Sequence, residues 1–356
     1  MAHVNLVLDG EKKQYFRFSN QYAEEIKDKL KQYYVCQGLE PENMSVALCS
    51  SGMHAINSTI DVIMSKWGWD RNVCIVIGDE MYCDTPRSAK YHSNFYTGGS
   101  MRVHKVSVQN SDKVIDLFSR ECIGKRVLFL MEPCTNPNGH LFDFNIVGKL
   151  RTLCKQMVLV ADNTWTPEMN VLDMGADAIA ISLTKHHSGS NCIMGAVITR
   201  GNGICNEVSD HLRLSGCHIS PYNCYILLQM MISMEERISK AHSTALKVAV
   251  ELEKRPWVQR VMFPSLRSHP SFELGEIYGI RPTVMNILME IPVDRKNVDD
   301  WLKARKDIYF STSYGSKQTR IDPWYKRHNK TSKYWIRLAI GYESRMEDII
   351  AALDTR

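Results

Sequence analysis

The chain is punctuated by short apolar runs, and two of them end in chemical groups of opposite character. QMVLVAD, residues 156–162, is closed by a carboxylate, and ADAIAISLTK, residues 176–185, is closed by Ser-x-Thr-Lys. Runs of this length and type suit strands buried in a parallel sheet. If both strands point the same way, Asp162 and Lys185 emerge at the same edge of the sheet, where open α/β folds bind ligands. A lysine there can hold pyridoxal phosphate as a Schiff base, and a nearby aspartate can pair with the protonated pyridine nitrogen. Taken singly, a lysine at a strand end is ordinarily a solvated charge and an aspartate a turn or cap residue. The reading therefore depends on what the rest of the chain supplies.

With 356 residues the chain exceeds the size at which a single core keeps growing, so one large and one smaller domain are expected. Hydrophobic content of 44% and charged content of 23% are ordinary for a soluble globular protein. The net charge of +5 is small and unclustered, which argues against a nucleic-acid partner. No stretch approaches the roughly 20 consecutive apolar residues of a membrane span, so no membrane partner is expected. The opening MAHVNLVLDGEKKQYFRF has no signal-peptide core, and the expected location is cytoplasmic. The 11 cysteines are scattered through apolar runs without metal-ligand spacing, so they read as reduced core residues and no metal is expected.

From Asn20 onward, QYFRFSNQYAEEIKDKLKQYYV (14–35) has helical spacing, with acids early and lysines late, as the helix dipole prefers. Tyr15 and Arg17 lie just ahead of that helix in an extended segment. SVALCSSGMHAINSTIDVIMSKWG (45–68) reads as strand, tight turn and helix, with Ser50-Ser51-Gly52-Met53 at the turn. Free amides at a helix start bind phosphate, and glycine lets the backbone approach closely; the spacing is neither a Walker loop nor a dinucleotide fingerprint. NVCIVIGDEMYCDTPR (72–87) reads as a strand running into a loop with Tyr82, Asp84 and Arg87. RVLFLMEPCTNPNGHLFDF (126–144) is another strand, stopped by Pro133 and followed by Asn136-Pro137. This rhythm predicts an α/β layered fold with a mainly parallel sheet. CIMGAVIT is one further strand, and 220–255 a long helical region ended by Pro256. Short strands (VQRVMF, TVMNILMEI, WIRLAIGY) and helices (NVDDWLKAR, MEDIIAALD) then fit a smaller C-terminal α+β domain. The expected division is a short segment over 1–40, a large cofactor-binding domain over 41–220, and a linking helix with the small domain over 221–356.

In this order the blocks resemble the Cys/Met-metabolism family of pyridoxal phosphate enzymes, which includes cystathionine γ-synthase, cystathionine β- and γ-lyases and methionine γ-lyase. The resemblance runs from YFRFSN at residue 15 to IRLAIGYES at residue 336. It implies the fold-type I, aspartate aminotransferase-like architecture and pyridoxal 5'-phosphate as cofactor. YFRFSN is similar to a Tyr-x-Arg-x-x-Asn motif whose members reach the cofactor phosphate of the neighbouring subunit, which implies a homodimer or homotetramer with Tyr15 and Arg17 acting across the interface. The resemblance puts Gly52 and Met53 on the phosphate, Tyr82 against the pyridine ring as a stacking and proton-shuttling group, and Asn136 on the phenolic oxygen. It makes Asp162 the ring-nitrogen partner, sets Ser182 and Thr184 on the phosphate, and makes Lys185 the Schiff-base lysine. Arg337 is implied as the bidentate clamp for the substrate α-carboxylate, with Ser313 and Asn136 beside the substrate. The implied reaction is β- or γ-elimination or γ-replacement on a sulfur-containing or O-activated homoserine-type amino acid, breaking or forming a C–S bond.

The chain departs from the family pattern at several places. The lead before Tyr15 is short, as is the connection between Asp162 and Lys185. His186-His187-Ser188-Gly189-Ser190-Asn191-Cys192 replaces the usual aromatic and Gly-Gly-His-Ser-Asp, Asp84 replaces a small residue, and Thr312-Ser313-Tyr314-Gly315 replaces Glu-Ser-Leu-Gly. These leave the substrate and the choice between β and γ chemistry open, along with the roles of Asp84, His186, His187 and Cys192. An aminotransferase or cysteine desulfurase of the same fold type is the alternative enzyme class, and a degenerate scaffold is the non-enzyme one.

Overall fold

In a computed structural model of the chain, the described residues are 20–70, 72–293, 297–323 and 333–354. Seven strands form the larger sheet: β1 (Met44–Cys49), β2 (Val73–Gly78), β3 (Arg102–Val106), β4 (Arg126–Met131), β5 (Gln156–Asp162), β6 (Ala178–Ser182) and β7 (Gly195–Arg200), in the order β1-β7-β6-β5-β4-β2-β3. The five from β3 to β6 in that order are parallel, and β7 runs antiparallel to both β6 and β1. Helices cover both faces: α1 (Gln21–Tyr33), α2 (Gly52–Trp67), α3 (Asp84–Thr97), α4 (Ser111–Glu121), α5 (Val147–Leu153) and α6 (Gly203–Leu214). Coverage of both faces explains why the strands read as unbroken apolar runs. In β6, Ile179 and Ile181 enter one core while Ala178 and Ala180 enter the core on the opposite face.

The second half holds α7 (Pro221–Met231), α8 (Met234–Leu252), β8 (Val258–Met262), α9 (Phe272–Tyr278), β9 (Val284–Glu290), α10 (Val298–Lys303), β10 (Tyr309–Phe310), β11 (Arg320–Pro323), β12 (Lys333–Ala339) and α11 (Met346–Asp354). Its five-stranded sheet, ordered β10-β11-β12-β9-β8, is antiparallel apart from the β10–β11 pair. A third core, built on Ala245, Phe263, Ile287 and Leu338, packs α8 and α11 on this sheet.

Several local expectations change. The helical region over 220–255 is two helices, α7 and α8, and at the break the Met230 carbonyl accepts a hydrogen bond from the Arg237 guanidinium at 2.8 Å. Asp84 and Arg87 lie in the first turn of α3 rather than in a loop. There the helix dipole favours the acid, and Arg87 Nη1 pairs with Asp84 Oδ1 at 3.1 Å. Strand β3, RVHKV, is an edge strand with one buried residue, so it lacks the apolar run that marks the others.

Candidate active site

The parallel pairing of β5 with β6 sets Ala161 beside Ile179 and Asp162 beside Ala180, so both chains leave the sheet at one edge. Asp162 is the last residue of β5, and Lys185 follows β6 by three residues in a turn. At this edge lies a cavity of about 420 Å³. Its walls include Gly52, Met53, Tyr82, Asn136, Asp162, Ser182, Thr184, Lys185, Ser313 and Arg337. Every expected site residue within the described part of the chain therefore borders one space. Tyr15 and Arg17 lie outside the described residues.

The cradle at the start of α2 is built by close approach. Ser51 caps the helix, its hydroxyl accepting from His54 N at 3.1 Å. A Cβ on Gly52 would stand 2.6 Å from Ser182 Cβ, and one on Gly195 would stand 2.3 Å from the Ser51 carbonyl oxygen. Neither position tolerates a side chain, and the helix-start amides open on the cavity beside Ser182. Thr184 is more committed: its hydroxyl donates to Met194 O and accepts from Met194 N, both at 3.2 Å. It would donate to a phosphate only by releasing that carbonyl.

Asp162 carries a half-buried carboxylate whose Oδ1 accepts from Thr164 N at 3.1 Å and Thr164 Oγ1 at 2.5 Å. Burial raises its pKa, partly offset by the Thr164 bonds and Lys185. The same hydroxyl accepts from Ser182 N at 2.9 Å, so Thr164 ties the ends of β5 and β6 together. Lys185 Nζ donates to Ser313 Oγ at 2.6 Å. Burial, with Arg337 and Arg320 next, pushes the Lys185 amine down to about 8, so a minor fraction, about a tenth at pH 7, is uncharged. Ser313 holds a left-handed backbone, φ 84°, a conformation that costs free energy and persists where surrounding structure over-determines it. Arg320 supplies part of that constraint, donating to Ser316 Oγ, Ser311 Oγ and Thr312 O at 2.9–3.1 Å.

Buried Arg337 extends Nη1 to Asn136 Oδ1 at 3.2 Å and Nη2 to Asp322 Oδ2 at 3.0 Å. Asn136 thus spends its carbonyl on the arginine. His186 and His187 follow Lys185 yet stay out of the cavity. Burial lowers them to about 4 and about 3, and Arg237 takes both their carbonyls at 2.8 and 3.0 Å. Cys192 is buried too, and burial raises its thiol.

The sequence matches the profile of the Cys/Met metabolism PLP-dependent enzymes over residues 8–355. The chain belongs to this family. Its members depend on pyridoxal phosphate, and the cavity's donor set fits that group: an acceptor carboxylate, an amine of lowered basicity, and helix-start amides with no side chain in the way. Among relatives of the family member described here, chloroplastic mimosinase of Mimosa pudica is 25% identical over 330 residues, spanning 88% of this chain and 70% of its own. L-methionine gamma-lyase of Fusobacterium nucleatum subsp. polymorphum is 27% identical over 333 residues, spanning 88% and 80%. The solved cystathionine gamma synthase of Xanthomonas oryzae pv. oryzae in complex with cystathionine superposes with a TM-score of 0.79 at 21% identity, covering 97% of this chain and 87% of that one. The fold is accordingly fold-type I, with an α/β large sheet and a second, smaller sheet. Among the described residues no helix is long and apolar enough to cross a membrane.

Sequence reasoning missed Glu132, Thr164 and Asp322, which all border the cavity, as does Tyr314, singled out only as a departure from the family pattern. Glu132 is buried; its Oε1 accepts from Tyr82 N at 2.6 Å and its Oε2 from Asn136 N at 3.0 Å, so one carboxylate positions two loops. Burial and the neighbouring Asp162 raise its pKa well above the usual range. Glu132 and Thr164 lie inside the EPCTNP and DNT blocks, where a buried carboxylate and a strand-end hydroxyl were available signals. Asp322 had none, since its relation to Arg337 exists only through the pairing of β11 with β12.

Proposed function

We propose that this enzyme eliminates or replaces a β- or γ-substituent of a sulfur-containing or O-activated homoserine-type amino acid, breaking or forming a C–S bond. The observation that carries the reading is the meeting of Arg337, Lys185 and Asp162 around one cavity. In this reading Asp162 pairs with the ring nitrogen of the cofactor and Lys185 is its covalent tether. Tyr82 covers the ring, Asn136 donates to its phenolic oxygen through the amide nitrogen, and Gly52, Met53, Ser182 and Thr184 meet its phosphate. Bound there, pyridoxal phosphate supplies an electron sink that makes the α-proton of an amino acid removable. Arg337 holds the α-carboxylate in a fork, its orientation set by Asp322 and Asn136. An amine near 8 is matched to carrying a proton from one substrate carbon to the next at neutral pH. Ser313 holds that amine on the cavity side.

The relatives named for methionine gamma-lyase and cystathionine gamma-synthase activity support this substrate class. The reading also takes the protein as a homodimer or homotetramer in which Tyr15 and Arg17 serve the neighbouring subunit. It divides the chain at about residues 40 and 220; the separate core under the small sheet supports a distinct C-terminal unit, while α1 packs into the core of the large sheet.

The test is a panel of cystathionine, methionine, cysteine and O-acetyl-, O-succinyl- and O-phosphohomoserine, with ammonia, keto acid, thiol and cystathionine measured together. Release of ammonia with keto acid, or coupling of an O-activated homoserine to cysteine, is expected. Nitrogen passed to a second keto acid without ammonia would establish an aminotransferase instead. Lys185→Ala is expected to abolish turnover and the lysine-dependent visible absorbance; persistence of that absorbance would move the tether to another lysine.

A further inference from the structure

Tyr314 stands where the family pattern has an aliphatic residue, and it is the aromatic side chain against which Lys185 rests. Lys185 Nζ lies 5.4 Å from the centroid of its ring, within the reach of a cation–π attraction. The ring is buried and braced from behind by Trp165, at 5.2 Å between centroids, and by His186, at 5.5 Å. Its backbone is fixed as well. Ser190 Oγ donates to the Tyr314 carbonyl at 3.2 Å, and a Cβ on Gly315 would stand 2.7 Å from the Lys185 carbonyl carbon. The loop that carries Tyr314 is therefore packed on the backbone of Lys185, and the ring has little room to turn away.

We propose that Tyr314 is a positioning residue whose ring face stabilises the ammonium form of Lys185, keeping the amine usable as both proton acceptor and proton donor. The inference rests on Lys185 being the reactive amine of the proposed function. Its physical need is plain. Burial and two cations, Arg337 and Arg320, all disfavour a charged Lys185, and Asp162 opposes them. Glu132, Asp322, Tyr82 and Cys83 line the same cavity. A ring face adds stabilisation for the cation without adding an anion that would repel a substrate carboxylate. Burial raises the Tyr314 phenol well above its ordinary value, so the group presents a neutral ring and not a phenolate. Ser313 accepts from Nζ in either charge state, and the ring adds to Asp162 in favouring the charged one.

The experiment replaces Tyr314 by phenylalanine and by progressively fluorinated phenylalanines, which keep the shape of the ring while draining charge from its face. In the full-length apo-protein, the rate at which Lys185 is acylated by an amine-reactive reagent is followed against pH and read by peptide mass. Only the neutral amine reacts, so the midpoint reports its basicity without any turnover. Tyr314→Phe is expected to keep the wild-type midpoint, and the fluorinated series to move it stepwise to lower pH, by about half a unit to one unit at full fluorination. The acid limb of the pH–rate profile of the loaded enzyme should move the same way. An unchanged midpoint across the series overturns the proposal, as does a shift already complete in Tyr314→Phe, which would assign the effect to the hydroxyl. Because labelling needs no substrate, this result stands or falls separately from the elimination or replacement reading.

Discussion

At the scale of single residues, the site is organised by buried groups that touch neither solvent nor, in the proposed arrangement, substrate. Glu132 is the clearest, since both carboxylate oxygens accept backbone N–H groups from the loops bearing Tyr82 and Asn136. Glu132→Gln keeps the shape but turns one acceptor into a donor facing a donor. A buried polar group left in that state costs about 1–3 kcal/mol. We expect a loss of thermal stability of that size together with weaker cofactor binding, measured by thermal unfolding and by absorbance titration with pyridoxal phosphate. A variant as stable as wild type and with unchanged affinity would remove Glu132 from the positioning scheme. The residue was legible as part of a motif, but its work was not, because a sequence block does not say which backbone amides point at a carboxylate.

Elements act through how closely they pack. The start of α2 lies against the ends of β6 and β7, and glycine at 52 and 195 is what lets it do so. Gly195→Ala would drive a methyl group into the Ser51 carbonyl, which is backbone and has no rotamer to yield. Overpacking of this kind costs about 1–3 kcal/mol. The expected outcome is a protein that still folds, with its affinity for pyridoxal phosphate lowered by at least about tenfold, checked by equilibrium binding; an affinity equal to wild type would show that the cradle does not depend on this approach. The turn at residues 50–53 was readable from the sequence, because strand, Ser-Ser-Gly and helix are local signals. Gly195 was not, since its neighbour lies about 140 residues away in the chain and in space only through the antiparallel pairing of β7 with β1.

Across the whole molecule, the apo-protein concentrates buried acid at the sheet edge, with Asp162 and Glu132 both raised by burial and Glu132 further raised by Asp162. A carboxyl whose folded pKa lies above its unfolded value stabilises the fold below the unfolded value, near 3.8 for an aspartate. That contribution is lost as pH rises through the folded value. The apo-protein should therefore lose stability relative to Asp162→Asn as pH increases from about 4 toward neutrality, seen as a widening gap between the two curves of melting temperature against pH. Parallel curves would mean that Asp162 titrates alike in both states. Saturation with pyridoxal phosphate should stabilise the wild-type protein by about 2.7 kcal/mol at a free concentration one hundred times the Kd, and Asp162→Asn should gain less.

What the sequence determined by itself is the cofactor and most of the elements, edge strand β3 and the break between α7 and α8 excepted. Apolar runs of strand length, helical periodicity and turn chemistry are local properties, and the blocks around Gly52, Asn136, Asp162, Lys185 and Arg337 identified the family before any coordinates. Only the tertiary structure decided which groups share the cavity and on what terms. It brought the Ser313–Tyr314 loop onto Lys185, set Asp322 on Arg337, committed Thr184 to Met194, and turned His186 and His187 away. Those relations cross between the two sheets or between sheet and distant loop. They depend on burial and on distances of a few ångströms, which no spacing along the chain encodes.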